Sequence, residues 1–146
     1  MIEDLQKYKV TPRKSLTLEY PNLMNWINMR HFIRGYFDGD GCVSYNGKRN
    51  YIRINFKGTY EFLDNLKTKM KGCLGIKGYI SKSKNTDKNV YDYFINGNIA
   101  SVNFLNWIYN DSKDSNRLAR KYEKAKRLYE LTLSKRIKPF PVLLDI

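Results

Sequence analysis

Two carboxylates one residue apart, Asp38 and Asp40, with Gly39 and Gly41 interleaved, are the side chains whose type and spacing most directly suggest chemistry. They follow Met29–Phe37, a stretch that reads as a helix with Phe32, Ile33, Tyr36 and Phe37 apolar. The C-terminus of a helix carries partial negative charge. Carboxylates placed there cost a few tenths to about 1 kcal/mol each unless something positive offsets them. A bound divalent cation would do so. The same four residues also make an ordinary helix stop with Asp-Gly turn chemistry, and taken alone they leave both readings open. A calcium loop of the helix–loop–helix type is excluded, because the glycine falls at the fourth position and Arg49 stands at the twelfth, where glutamate is needed.

Other chemistries have little to work with. Cys42 and Cys73 fit neither a disulfide framework nor a CxxC metal site and read as reduced, half-buried thiols. His31 is the only histidine, which argues against a histidine zinc site or a Ser-His triad; a packing role is expected for it.

The elements that must position the acidic pair belong to one domain of 146 residues with a net charge of +13. The basic residues are spread evenly, 8 in residues 1–50, 9 in 51–100 and 10 in 101–146, as on a folded surface rather than a charged tail. A polyanion is the natural partner, since each neutralised phosphate releases counterions. The 12 tyrosines and many asparagines favour nucleic acid, which both can contact. No apolar run reaches the roughly 20 residues of a membrane span, and Met1–Lys9 is charged, unlike a signal peptide. An intracellular protein is expected, in cytoplasm or nucleoid, or in an organelle if encoded there.

Along the chain, residues 1–27 read as a lead-in, with an extended stretch over Ser15–Tyr20; 28–136 as the main domain; and 137–146 as a tail. Asn25 or Asn28 is expected to cap the first helix. Gly35 in its middle costs about 1 kcal/mol against alanine, usually compensated by close approach of another backbone. Strands Cys42–Asn46 and Tyr51–Phe56 flank a hairpin turn at Gly47–Asn50, with Ile52, Ile54 and Phe56 on one face and Tyr51, Arg53 and Asn55 on the other. Thr59 caps a helix over Tyr60–Met70. A second hairpin follows, with strands Ile76–Ser81 and Val90–Asn96. Tyr91, Tyr93 and Ile95 are placed inward there, because the alternative buries Asp92. Asn98 is expected to cap a helix over Ile99–Asn110, and Ser115 one over Asn116–Ser134, where Leu118, Tyr122, Ala125 and Tyr129 form a stripe. The result is an α+β fold, a four-stranded antiparallel sheet with helices on one face and polar side chains on the other.

Ile33-Arg34-Gly35-Tyr36-Phe37-Asp38-Gly39-Asp40-Gly41 resembles the LAGLIDADG motif, with Gly35, Asp38, Asp40 and Gly41 in register. Arg34, where the motif has a small residue, departs from it and must point away from the helix contact. The resemblance extends over Met29–Tyr129. Pro12–Pro21 is similar to the lead-in of bacterial and phage members, where a helix-turn-helix domain can precede; the chain reads as a trimmed or compact form.

The resemblance implies an αββαββα domain and a homing endonuclease. One motif per chain implies a homodimer whose motif helices pack through Gly35 and Gly39, with Asp38 bridging or capping. Asp40, helped by the Gly39 carbonyl, would hold magnesium or manganese for phosphodiester hydrolysis on both strands. Asn55 would position water and Lys113 would stabilise charge, with Lys121 as the alternative. The polar sheet face would read a long, near-palindromic DNA site in the major groove. Ser44, Asn46, Lys48, Arg49, Tyr51 and Arg53 lie on it in the first hairpin. Lys77, Tyr79 and Ser81 lie on it in the second, with Lys82, Lys84 and Lys88 holding phosphates. Two rival readings stay open: a non-cutting DNA-binding regulator on the same scaffold, and an RNA-binding splicing helper similar to maturases.

Overall fold

The computed structural model describes residues 19–21, 25–84 and 88–135. The expected extended stretch before Tyr20 and the tail after 136 lie outside these residues.

The first helix, α1, spans Trp26–Asp40 and starts where Asn25 accepts a hydrogen bond from the Asn28 amide at 2.8 Å. That side chain satisfies one of the amides a helix start leaves bare. The helix is longer at both ends than its apolar core indicates. Trp26 stacks on Trp107, ring centroids 4.6 Å apart, and so fastens the extra first turn. Gly41 ends the helix, its amide donating to Phe37 O at 2.9 Å.

Strands β1 (Cys42–Asn46) and β2 (Tyr51–Gly58) form the first hairpin. Alternation decides which face is buried: Ile52, Ile54 and Phe56 are at most 1% exposed, while Arg53 and Lys57 are exposed. Helix α2 (Tyr60–Leu74) begins at Thr59, whose hydroxyl accepts from the Phe62 amide at 3.2 Å. It ends at Gly75, whose positive φ of 64° suits glycine, and it passes through Gly72 without stopping. Strands β3 (Gly78–Lys82) and β4 (Tyr91–Asn96) follow. The sheet order is β1-β2-β4-β3, antiparallel throughout, so the two hairpins join through their inner strands β2 and β4.

Helix α3 (Asn98–Tyr109) lies under the sheet and is buried along most of its length. Its N-cap is Gly97, not Asn98. Asn98 instead accepts from the Ile52 amide at 2.9 Å and donates to Asn50 O at 2.8 Å, pinning the start of β2. Ser115 caps nothing either. It lies in a 3-10 turn, Asp114–Asn116, and α4 (Ala119–Ser134) starts three residues later than expected, after Leu118. Tyr122, Ala125 and Leu128 are the buried face of α4, with Tyr129 half-buried beside them.

Among the described residues, four helices thus pack on one face of a four-stranded antiparallel sheet. The core lies between, built on Phe37, Phe56, Phe62, Phe104 and Tyr93, all fully buried. Phe37, Phe56 and Phe104 meet edge-on, with centroids 5.3–5.6 Å apart. Tyr93 and Ile95 point into this core as expected, yet Asp92 is also buried, on the opposite face.

Candidate functional site

The end of α1 brings Asp38, Gly39 and Asp40 to the surface, and the two carboxylates have different environments. Asp38 is half-buried and fully engaged. The Tyr109 hydroxyl donates to Oδ1 at 2.6 Å and the Leu118 amide to Oδ2 at 2.8 Å. Asp38 therefore bridges the end of α3 to the start of α4 inside this chain. Burial first, then the bond and charge of Asp38, push the Tyr109 hydroxyl well above its ordinary pKa. Asp40 is exposed and makes no hydrogen bond or ion pair among the described residues.

A helix end leaves carbonyls short of partners, and here only Phe37 O is met by the cap, through the Gly41 amide. Lys121 supplies one from α4: its ammonium donates to Phe37 O and Gly41 O, 2.5 Å each, and lies 4.9 Å from the Phe37 ring centre. The residue is only 8% exposed, and burial lowers its pKa. A cation from elsewhere in the chain thus straddles the stretch that contains Asp40. α1 has no basic residue in its own last turn.

Lys113 lies elsewhere. It precedes the 3-10 turn, its amide donating to Asn116 Oδ1 at 2.8 Å. The same segment is tied to the middle of α1. Arg34 donates to Asn116 O and Ile108 O, 3.0 Å each, and Arg30 pairs with Asp111 at 3.1 Å. Arg34 precedes Asp40 by six residues, about 9 Å of helix. Of the two lysines, the fold brings Lys121 to the acidic end. Arg34 is 3% exposed and points into the chain, away from the open face of α1. His31, expected to pack, is instead exposed, its Nδ1 3.0 Å from Arg34 Nη2. Both cysteines are free, and exposed rather than half-buried.

Asn55 is half-buried on the outer face of β2 and pairs in register with Cys42, two residues after Asp40. Further along that face, Arg53 is held by two neighbours. Its Nε donates to Asn96 Oδ1 at 3.0 Å, and its guanidinium lies 5.6 Å from the centre of the Phe94 ring. Tyr79 stacks on Phe94 from β3, centroids 5.0 Å apart. Ser44, Asn46, Lys48, Arg49, Lys77, Tyr79, Ser81, Lys82, Lys84 and Lys88 are all exposed, and Tyr51 is half-buried. Ser44, Tyr45, Asn46, Arg49, Tyr51 and Arg53 line a concavity of about 590 Å³ on the first hairpin. The outer face also holds Lys57, Asp92, Phe94 and Asn96, which sequence reasoning missed. The alternation of β2 extends to Lys57, but the strand runs two residues beyond the expected end at Phe56.

The face of α1 turned away from the core carries Ile27, His31, Gly35 and Gly39, four residues apart and exposed. Ile27 is 70% exposed. Among the described residues, a Cβ added at Gly35 or Gly39 would meet nothing within 4 Å, so their contacts do not require glycine at either position.

Asp40 and the free carbonyls of the last turn are hard oxygen donors at the negative pole of a helix, a set that suits magnesium or calcium. No cluster of three or more His, Cys, Asp or Glu is present among the described residues.

No curated protein sequence matches the chain. Among solved structures, the chain is similar to the homing endonuclease I-CvuI in complex with the I-CreI target in the presence of magnesium. The identity is 15% and the TM-score 0.50, over 75% of this chain and 67% of that one. A second I-CvuI structure, with its own target and calcium, gives 14% identity and a TM-score of 0.51, over 75% and 71%. The K262A mutant of I-SmaMI gives 18% and 0.50, over 75% of this chain but only 39% of that one. Identities this low speak for the fold. Membership rests on the sequence itself: the family model of a LAGLIDADG-like domain matches residues 28–136, most of the chain, with the acidic helix end and both hairpins inside the match, and the chain belongs to the LAGLIDADG family.

Proposed function

We propose that this protein is a homodimeric, divalent-metal-dependent endonuclease that cuts both strands of a long, near-palindromic DNA site. The observation that carries the reading is the contrast at the end of α1. Asp38 is consumed by structure, whereas Asp40 is exposed with no hydrogen bond or ion pair among the described residues. A carboxylate left free at a negative helix end is unfavourable in the isolated chain and favourable once a cation binds.

Asp40 and the Gly39 carbonyl would hold magnesium. When bound, the metal supplies Lewis-acid activation for phosphodiester hydrolysis. The chain's own residues supply the rest. Lys121 fixes the helix end and places a positive charge beside the site. Asn55 faces outward one strand away and would position the attacking water. Arg53, steadied by Asn96 and Phe94, contacts base edges, while Lys82, Lys84 and Lys88 neutralise phosphates. Two-fold pairing of α1 through Gly35 and Gly39 would bring two Asp40 carboxylates together, completing a shell that one chain provides in part. The open glycines on this face support that pairing.

The test is cleavage of a library of long palindromic duplexes in magnesium by wild type and Asp40→Asn. Wild type should cut a subset that the variant binds without cutting. Tight binding with no cutting in any divalent metal would favour the regulator reading, and tighter binding of folded RNA than of duplex the splicing-helper reading.

A further inference from the structure

Asp92 is a carboxylate, 12% exposed in its side chain, on a sheet face whose other side chains are basic, aromatic or neutral polar. Lys57 pairs with it directly across the β2–β4 ladder. The Lys57 ammonium lies 3.1 Å from Asp92 Oδ1 and 3.1 Å from Ser83 Oγ. The Ser83 hydroxyl in turn donates to Asp92 Oδ2. The ammonium is therefore held by two acceptors, one of which is fixed by the other. The lysine side chain nonetheless remains 58% exposed.

The arrangement repeats four residues away. Arg53 on β2 is likewise held by its direct β4 partner, Asn96. Each exposed base on the outer face of β2 thus has a β4 acceptor restraining it. A flexible surface lysine would serve for phosphate attraction alone; restraint is useful for reading geometry. The direction along the groove is also set. The Lys57 carbonyl accepts from the Tyr36 hydroxyl, one turn before Asp40, so Lys57 is on the Asp40 side and Arg53 toward the hairpin tip. Four residues of strand span about 14 Å, or roughly four base-pair steps.

Resting on the DNA-endonuclease reading above, we propose that Lys57 is a specificity-determining residue that reads a guanine close to the cleavage position of each half-site. Asp92 and Ser83 are its positioning residues. An ammonium donates to guanine O6 and N7, which no other base presents together in the major groove. Asp92 limits the reach of the ammonium and discourages its sliding to the nearest phosphate.

The experiment is selection of a fully randomised duplex library by the full chain, with calcium in place of magnesium. Wild type, Lys57→Met, Asp92→Asn, Ser83→Ala and Arg53→Met are compared. Wild type should enrich guanine at one inner position per half-site. Lys57→Met should abolish that preference, a loss of about tenfold or more, and leave the Arg53 position intact. Asp92→Asn and Ser83→Ala should relax the inner preference while overall affinity holds or rises, an outcome that a merely structural pair would not give. Unchanged base preferences in Lys57→Met, or a uniform affinity loss in Asp92→Asn, would overturn the assignment and leave the endonuclease reading standing. If wild type enriches no duplex, both fall together.

Discussion

The Asp38 carboxylate accepts the Leu118 amide at 2.8 Å across 80 residues of sequence, so the first acid of the motif is the N-terminal cap of the last helix. Leu118 itself offers no capping side chain. Asp38→Ala should therefore cost about 1–3 kcal/mol, since it strips a buried tyrosine hydroxyl and a helix amide at once. Urea melts would measure the loss. Asp38→Asn, which keeps one acceptor, should fall between. A neutral Asp38→Ala would refute this account.

The open glycines of α1 separate monomer stability from self-association. Gly35→Ala should stabilise the isolated helix by about 1 kcal/mol, because no atom of the described residues opposes the new methyl. If α1 pairs with a second copy, the same change should weaken the dimer. Sedimentation across a concentration series, alongside thermal melts, would reveal both. A variant as dimeric as wild type would place the interface elsewhere.

Acid should weaken the fold through His31. Burial, then Arg34 and Arg30, lower its pKa below the ordinary 6.5, with Asp111 partly opposing. A folded pKa below the unfolded one means the unfolded chain binds the proton more readily. The stability from neutral His31 is present above pH 6.5 and is lost as pH falls toward the folded value. Tm should decline between pH 7.5 and 5.5, and His31→Gln should flatten that part of the curve.

Asn98 offers a test of a side chain misread from sequence. Asn98→Ala leaves the Ile52 amide and the Asn50 carbonyl unpaired and should cost about 1–2 kcal/mol. Hydrogen exchange at Ile52 should accelerate more than at Phe56. An even increase along β2 would mean that Asn98 does not anchor its start.

The contrast between Asn98 and Thr59 shows what was legible in the sequence. Thr59 and Asn25 bond within their own turns, three residues away, and spacing reveals such contacts. The alternation of β2 likewise identified the core face. Asn98 and Lys121 take their partners from 46 to 84 residues away, and Asp92 takes Lys57 from 35 away; no local pattern encodes those. Asp92 was expected to avoid burial because a lone buried carboxylate is costly; Lys57 and Ser83 remove that cost. The motif identified Asp40, but only the docking of α4 distinguishes Lys121 from Lys113.

Lys121 comes from the last helix, and the carbonyls that it holds belong to the first. The acidic tip is finished only after the C-terminal third has been made and has docked. A chain still emerging from the ribosome, or one clipped before α4, would present that tip bare. Two helices some 80 residues apart in sequence are thereby made to depend on each other at the point where the chemistry would occur.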